Sequence, residues 1–145
     1  MSFSLDVNIL LYASDQASPH YITASRFLAE CAFGSELCYL AWPTLMSYLR
    51  ITTHSRIFAQ PLSPSEALKN LLGLLGLPHV RTLSEGPDFL NVYQEVTKNI
   101  PVRGNLVPDA HLAALLRQHD IPTLYSADTD FRKFSGLTVR NPLSQ

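Results

Sequence analysis

The chain has 145 residues, 46% hydrophobic and 16% charged, which is enough for one domain around a single core and cramped for two. A formal net charge of -1 and a mean hydropathy near zero exclude a highly charged disordered chain and a basic nucleic-acid coat protein, so any nucleic-acid contact must be local. No apolar run reaches the roughly 20 residues of a membrane-spanning helix. The opening Met1-Ser2-Phe3-Ser4-Leu5-Asp6 has neither the basic start nor the apolar stretch of a secretion signal, so the expectation is a cytoplasmic protein with no membrane partner. Cys31 and Cys38 lie seven apart without the paired spacing of a zinc site and read as buried free thiols.

Phe3 to Leu5 predicts a short strand that stops at Asp6, and Asn8 to Ala13 predicts a turn or two of helix. Ser18-Pro19 predicts the start of a second helix, with Ser as N-cap, Pro at the first helical position, and Ile22, Phe27, Leu28 and Cys31 on its apolar face. Glu36 to Ala41 predicts a second strand, and Trp42-Pro43 opens a helix running to about Thr53. In Ser63-Pro64-Ser65-Glu66, the spacing of Ser and Glu is that of a capping box, so Leu68, Leu71, Leu72 and Leu75 belong to a helix whose end Gly73 and Gly76 loosen. Val80 to Leu83 predicts a short edge strand, and Phe89, Val92, Tyr93 and Val96 recur at helical steps. After a break at Pro101 to Gly104, Leu106 to Asp120 is the clearest helix. Pro122 to Ser126 and Leu137 to Arg140 predict the last strands. Strands separated by helices of ten or more residues need crossovers, which predicts an α/β architecture: a mainly parallel sheet of four to five strands with helices on both faces. In such sheets the ligand crevice lies beyond the carboxyl ends of the strands, where the strand order reverses.

Acids stand beside apolar segments in three regions: Phe3 to Asn8, Val107 to Ala110, and Leu124 to Phe131. Each has a plain structural role available, Asp6 as a helix cap, Asp109 as a first-turn acid, Asp128 and Asp130 as turn residues. The combination points elsewhere. Asp109 shares a helix face with Leu112, Ala113 and Leu116, so it should point inward, where an ionised carboxylate is costly unless paired or bound to a cation. Asp6 and Asp128 both end predicted strands, so the acids can meet at one sheet edge, and no Lys or Arg is placed within these motifs to neutralise them. Carboxylate oxygens without His or Cys favour Mg²⁺ or Mn²⁺ over Zn²⁺. The chemistry open to such a site is hydrolysis at phosphorus, where one ion or two ions about 4 Å apart acidify water and offset charge on the pentavalent transition state. The competing role is a metal site that only stabilises the fold.

Five stretches, in this order, resemble a known family: Leu5-Asp6-Val7-Asn8-Ile9-Leu10; Trp42 through Phe58, with Leu49-Arg50 and Thr53-His54-Ser55-Arg56; Val107-Pro108-Asp109-Ala110-His111-Leu112; Ser126-Ala127-Asp128-Thr129-Asp130-Phe131; and Gly136-Leu137 to Asn141-Pro142-Leu143. Each is weak alone, but the ordered set covers nearly the whole chain and resembles the PIN-domain ribonucleases of the VapC toxin type. The resemblance implies one PIN domain over residues 1–145, a three-layer α/β/α sandwich, Mg²⁺- or Mn²⁺-dependent cleavage of RNA, neutralisation by a VapB antitoxin, and a homodimer. Carried over by motif, Asp6 and Asp109 would be the principal metal ligands, and Asp6, Asp109 and Asp128 the catalytic residues. Asp128 would complete the acidic cluster, Asp130 would be a further or water-mediated ligand, and Asn8 and Ser126 would orient carboxylates or water. The family commonly has an acid two residues before the Leu-Arg pair; here Ser47 stands there, and the missing charge should weaken cation affinity.

Ser47, Arg50 and His54 are spaced to share one helical stripe beside the acids, and Arg50 could hold a phosphate bidentately. The other reading of Arg50 is an Arg paired with a surface acid. Arg132 and Lys133 follow the acidic loop and are further RNA-binding candidates, although solvated surface charge is the commoner role for those two. His20, His79, His111 and His119 make no recognisable ligand pair, and Tyr12, Trp42, Phe131 and Phe134 suit core or interface better than base stacking. A haloacid-dehalogenase-like phosphatase needs acids two apart after the first strand, where this chain has Asp6 and Asn8, and a receiver domain needs a neighbouring acid pair and a late lysine. The alternative of another class is a non-catalytic PIN-like module that binds RNA or a partner protein, its activity weakened by Ser47.

Overall fold

The structure, a computed structural model, describes residues 1–144. Five strands, β1 (Ser2–Leu5), β2 (Leu37–Ala41), β3 (Val80–Leu83), β4 (Thr123–Tyr125) and β5 (Thr138–Arg140), form one all-parallel sheet in the order β3-β2-β1-β4-β5. The crossovers carry α1 (Val7–Ala13), α2 (Tyr21–Phe33), α3 (Trp42–Thr52), α4 (Pro64–Leu75), α5 (Phe89–Val96) and α6 (Leu106–Gln118), and a 3-10 turn, Thr129–Lys133, links β4 to β5. From β1 the chain builds outward through β2 and β3, then returns to β1's other side with β4. The strand order therefore reverses between β1 and β4, and their carboxyl ends border the crevice that this topology opens.

Two apolar cores lie on the two faces of the sheet, giving three layers. One joins Phe3, Leu10, Leu40, Leu45 and Tyr48 to Ala67 and Leu71 of α4. The other joins Leu83, Val96, Leu124, Phe131 and Phe134 to Ala110 and Leu112 through Leu116 of α6. Helix α6 is buried around most of its circumference because the sheet, α5 and the 3-10 turn surround it, which fixes how Asp109 in its first turn is presented. In β1, Phe3, Ser4 and Leu5 are all buried, as a central strand covered on both faces requires. The Ser4 hydroxyl escapes an unsatisfied burial by donating to the Tyr39 carbonyl at 2.6 Å.

The capping box at Ser63 forms as its sequence predicts: Ser63 Oγ accepts from the Glu66 N–H at 3.1 Å, and Glu66 Oε1 accepts from the Ser63 N–H at 3.3 Å. Two boundaries and the placing of one residue differ from expectation. Helix α2 starts at Tyr21, because Ser18 Oγ accepts from the His20 N–H and closes a separate turn rather than capping the helix. Helix α3 ends at Thr52, whose carbonyl is taken by the Leu62 N–H of the following loop, so His54 lies beyond the helix. Helix α6 ends at Gln118, and Asp120 turns into the left-handed region at φ 56°. Cys38 is buried and Cys31 half-buried, both are free, and burial pushes both thiols up to about 12. Among the described residues, no helix is long and apolar enough to cross a membrane.

Candidate metal centre

Asp6 stands where β1 stops and α1 begins, in extended conformation, with its N–H donating to the Tyr125 carbonyl of β4 at 2.9 Å. Its Oδ1 caps α1 by accepting from the Val7 N–H at 2.7 Å. Its Oδ2 accepts from Ser126 Oγ at 2.7 Å and Asn8 Nδ2 at 3.1 Å. The same Ser126 hydroxyl accepts from the Asp128 N–H at 2.9 Å, and Asn8 Oδ1 accepts from the Ala127 N–H at 3.3 Å. Asn8 and Ser126 therefore lock the end of β1 to the loop after β4 through the carboxylate of Asp6. Burial raises the Asp6 carboxyl above its ordinary range despite the hydrogen bonds from Ser126 and Val7, and the charge of Asp128 pushes the same way.

Asp109, half-buried in the first turn of α6, is pushed up to about 6, first by burial and then by the charges of Asp128, Asp6 and Asp130. Asp128 caps the 3-10 turn, its Oδ1 accepting from the Asp130 N–H at 2.9 Å, and this bond turns the following acid back toward the crevice. Asp109, Asp128 and Asp130 each present a carboxylate oxygen within 4.8 Å of the others. Asp6 is not in that trio; its oxygens are engaged by Val7, Asn8 and Ser126, and it reaches Asp109 through its charge. The acids do meet at the sheet edge, with Asp130 more central and Asp6 further back than the motifs imply.

No Lys or Arg lies within the acidic motifs, but Lys133, just after them, reaches the acids: its Nζ lies 3.4 Å from Asp130 Oδ1, since the 3-10 turn brings residues three apart onto one side. Both side chains are about half exposed, so the pair is weak, and one lysine leaves most of the acidic charge uncompensated. An oxygen-only donor set with excess negative charge suits a hard divalent cation such as Mg²⁺ or Mn²⁺.

The remaining candidates are less concentrated. Ser47 is half-buried and Arg50 exposed on α3, but His54 leaves their stripe, its Nδ1 accepting from the Arg56 N–H in the turn that follows. Among the described residues, no hydrogen bond or ion pair links Ser47, Arg50 or Arg132 to the acids. Phe131 and Phe134 are buried in the core, as expected, while Trp42 is 45% exposed. His111 of α6 and His119 just after it have a role that sequence patterning did not reveal. His111 Nε2 meets Glu85 Oε1 at 2.6 Å, His119 Nε2 meets the Ser84 carbonyl at 2.8 Å, and Gln118 bonds Gly86 and Pro87, so α6 straps down the loop after β3. These partners are more than 25 residues apart in sequence, and no local signal joins them.

A parallel sheet with acids gathered at its switch point defines the class as a three-layer α/β/α protein with an acidic cluster at the carboxyl edge of its sheet. No family model matches the chain. Among known proteins, it is 43% identical over 144 residues to ribonuclease VapC48 of Mycobacterium tuberculosis, covering 99% of each chain. It is 31% identical over 140 residues to ribonuclease VapC33 of the same species, covering 97% of each. Its fold matches that of VapBC2 from Rickettsia felis, solved bound to a promoter DNA fragment, with a TM-score of 0.67 at 16% identity over 97% of this chain and 98% of that one. It also matches M. tuberculosis VapC20, described as a sarcin-ricin loop cleaving toxin, with a TM-score of 0.65 at 16% identity over 94% of this chain and 98% of that one. The chain belongs to the VapC ribonuclease family, and its fold is the PIN fold of those toxins.

Proposed function

We propose that the protein is a cytoplasmic endoribonuclease toxin, one PIN domain over its whole length, that uses Mg²⁺ or Mn²⁺ to hydrolyse RNA phosphodiester bonds. The observation that carries this reading is the trio Asp109, Asp128 and Asp130, converging within 4.8 Å at the carboxyl edge of the sheet with Asp6 behind it. Asp109, Asp128 and Asp130 would hold the cation, with Asp6 as a further ligand or as the charge that completes the cage. Bound there, such an ion acidifies water and offsets charge on the pentavalent phosphorus. The chain's own groups prepare the site. Ser126 and Asn8 fix the carboxylate of Asp6, and Ser126 also orients the loop carrying Asp128. Asp109, pushed up to about 6, is largely ionised at neutral pH but holds its charge at a cost that a cation relieves. Arg50, Arg132 and Lys133 are assigned to the RNA backbone; His54, displaced from the α3 stripe, is the weakest of the four candidates.

A VapB-type antitoxin and a second copy of the chain are the assigned protein partners. A groove of about 500 Å³ between α2 and α4, lined by Leu28, Ala29, Ala32, Leu71 and Leu74 with the buried Tyr48 beneath, offers the antitoxin an apolar seat. Exposed Ile22, Leu68 and Leu72 on the same helices extend the apolar surface beyond what one core uses.

The test is cleavage of a mixed structured RNA pool by purified protein with Mg²⁺ or Mn²⁺ against EDTA, with Asp6→Asn as the control for contaminating nuclease. Metal-dependent cutting that the variant loses is the expected result. Folded, antitoxin-free protein that cuts with neither metal would instead be a binding module.

A further inference from the structure

A more polar cavity of about 340 Å³, reached from the acids through Lys133 and lying toward the far end of α6 from Asp109, is lined by Lys98, Asn99, Arg117, Lys133, Ser135 and Glu95. Three cations face one carboxylate there, in a chain whose Lys and Arg total only 11. The cations come from three separate segments. Lys98 follows α5, Arg117 is in the last turn of α6, and Lys133 ends the 3-10 turn. Arg117 is held in place: one guanidinium nitrogen donates to the Ser135 carbonyl at 2.8 Å, which fixes the fork and leaves its remaining donors free. Gly136, at φ 81°, keeps this packing possible, since a side chain there would start 2.8 Å from the same nitrogen. Lys133 belongs to both places, lining this cavity while lying 3.4 Å from Asp130.

We propose that Lys98, Arg117 and Lys133 form a subsite for a backbone phosphate of the RNA strand on its path away from the acids. The inference rests on the nuclease reading and extends it, by giving the strand a direction away from the cation site. A fixed guanidinium fork with two mobile ammonium groups suits an oxyanion, and the repulsion a strand meets at four aspartates gives an adjoining cationic cavity a positioning role. A cation held at the acids would compete with Lys133 for Asp130, and Lys133 would then be the cation the two places share.

The experiment uses a labelled single-stranded RNA and an Asp109→Asn background, which leaves the strand uncut. Binding is followed by fluorescence anisotropy at several chloride concentrations. Adding Lys98→Gln should weaken binding roughly threefold to fivefold and make the dependence of log K on log salt shallower by about 0.7, the loss of one phosphate contact on a single strand. Lys98→Arg should restore both. Lys69→Gln, the same charge change on the exposed face of α4, should change neither. In the otherwise unmodified enzyme, Lys98→Gln should raise KM and spare kcat. An unchanged slope and KM for Lys98→Gln would overturn the subsite while leaving nuclease activity standing. A Lys98-dependent slope in a protein that never cuts RNA would keep the subsite and remove the nuclease reading. Saturable binding of inorganic phosphate that needs Lys98, with RNA indifferent to it, would make this a free-anion pocket and overturn the proposal. So would a loss confined to antitoxin affinity.

Discussion

Asp109→Asn should stabilise the metal-free protein while abolishing cleavage. Raising the carboxyl from 3.8 to about 6 corresponds to about 3 kcal/mol at about 1.4 kcal/mol per pH unit. The group is only half-buried, and solvent screening reduces this to about 1 kcal/mol. Because the folded-state value lies above the unfolded one, the folded protein binds more protons between them. The destabilisation is thus fully present above about pH 6, fades as pH falls, and is absent below 3.8. For a chain of this size, about 1 kcal/mol is about 3 °C in Tm. In EDTA at pH 7.5 the variant should melt about 3 °C above the parent, and the gap should roughly halve by pH 5. Mg²⁺ should raise the parent's Tm and leave the variant's nearly unchanged, because binding to the native state alone stabilises it. Differential scanning fluorimetry at the two pH values reads all of this. A variant that melts lower than the parent, or whose difference ignores pH, would refute the reasoning that uncompensated charge at Asp109 strains the fold.

Three further substitutions probe the surroundings. Ser126→Ala removes the donor to Asp6 and the acceptor for the Asp128 N–H, and should raise the Mg²⁺ concentration for half-maximal cleavage about 10- to 100-fold with the fold intact by circular dichroism. Ser47→Glu supplies the acid that the family commonly has on α3 and should lower that concentration severalfold; an unchanged metal titration would show that Ser47 is too far from the cation to matter. Ala29→Arg puts a long charged side chain into the α2/α4 groove and should free the enzyme from inhibition by co-purified antitoxin while sparing its cleavage of RNA, both read in one nuclease assay.

Local signals carried the elements. Strand β1 was legible because an apolar run stops at Asp6, and α4 because Ser63 and Glu66 have capping-box spacing, which the hydrogen bonds match. The sheet-edge meeting of the acids followed from strand–helix alternation, since a parallel sheet puts every strand's carboxyl end on one side. What failed was finer. Ser18 has the look of an N-cap, yet its hydroxyl serves a turn two residues before the helix, a choice between competing local hydrogen bonds that residue type alone does not decide. His54 left its stripe because the Thr52 carbonyl bonds Leu62, ten residues on. Lys98 and Arg117 were not legible as site candidates: they meet Lys133 only through the packing of α5 and α6 on the returning sheet.

The division of work among the four aspartates follows from where each sits. Asp6 is buried at the strand end and could not remain ionised there without donors, so the fold supplies Val7, Asn8 and Ser126, and in doing so uses up much of its accepting capacity. The other three lie on a helix start and a 3-10 turn at the crevice, nearer to solvent, where each presents one oxygen to the others. A cation bound there would meet a carboxylate fixed by hydrogen bonds at the back and three more solvent-exposed carboxylates in front. That arrangement would suit a site with Ser47 where the family commonly has an acid, because carboxylates nearer to solvent could adjust to an ion that a substrate phosphate also helped to hold. On this account the missing acid weakens metal binding in the free enzyme more than in the enzyme–RNA complex.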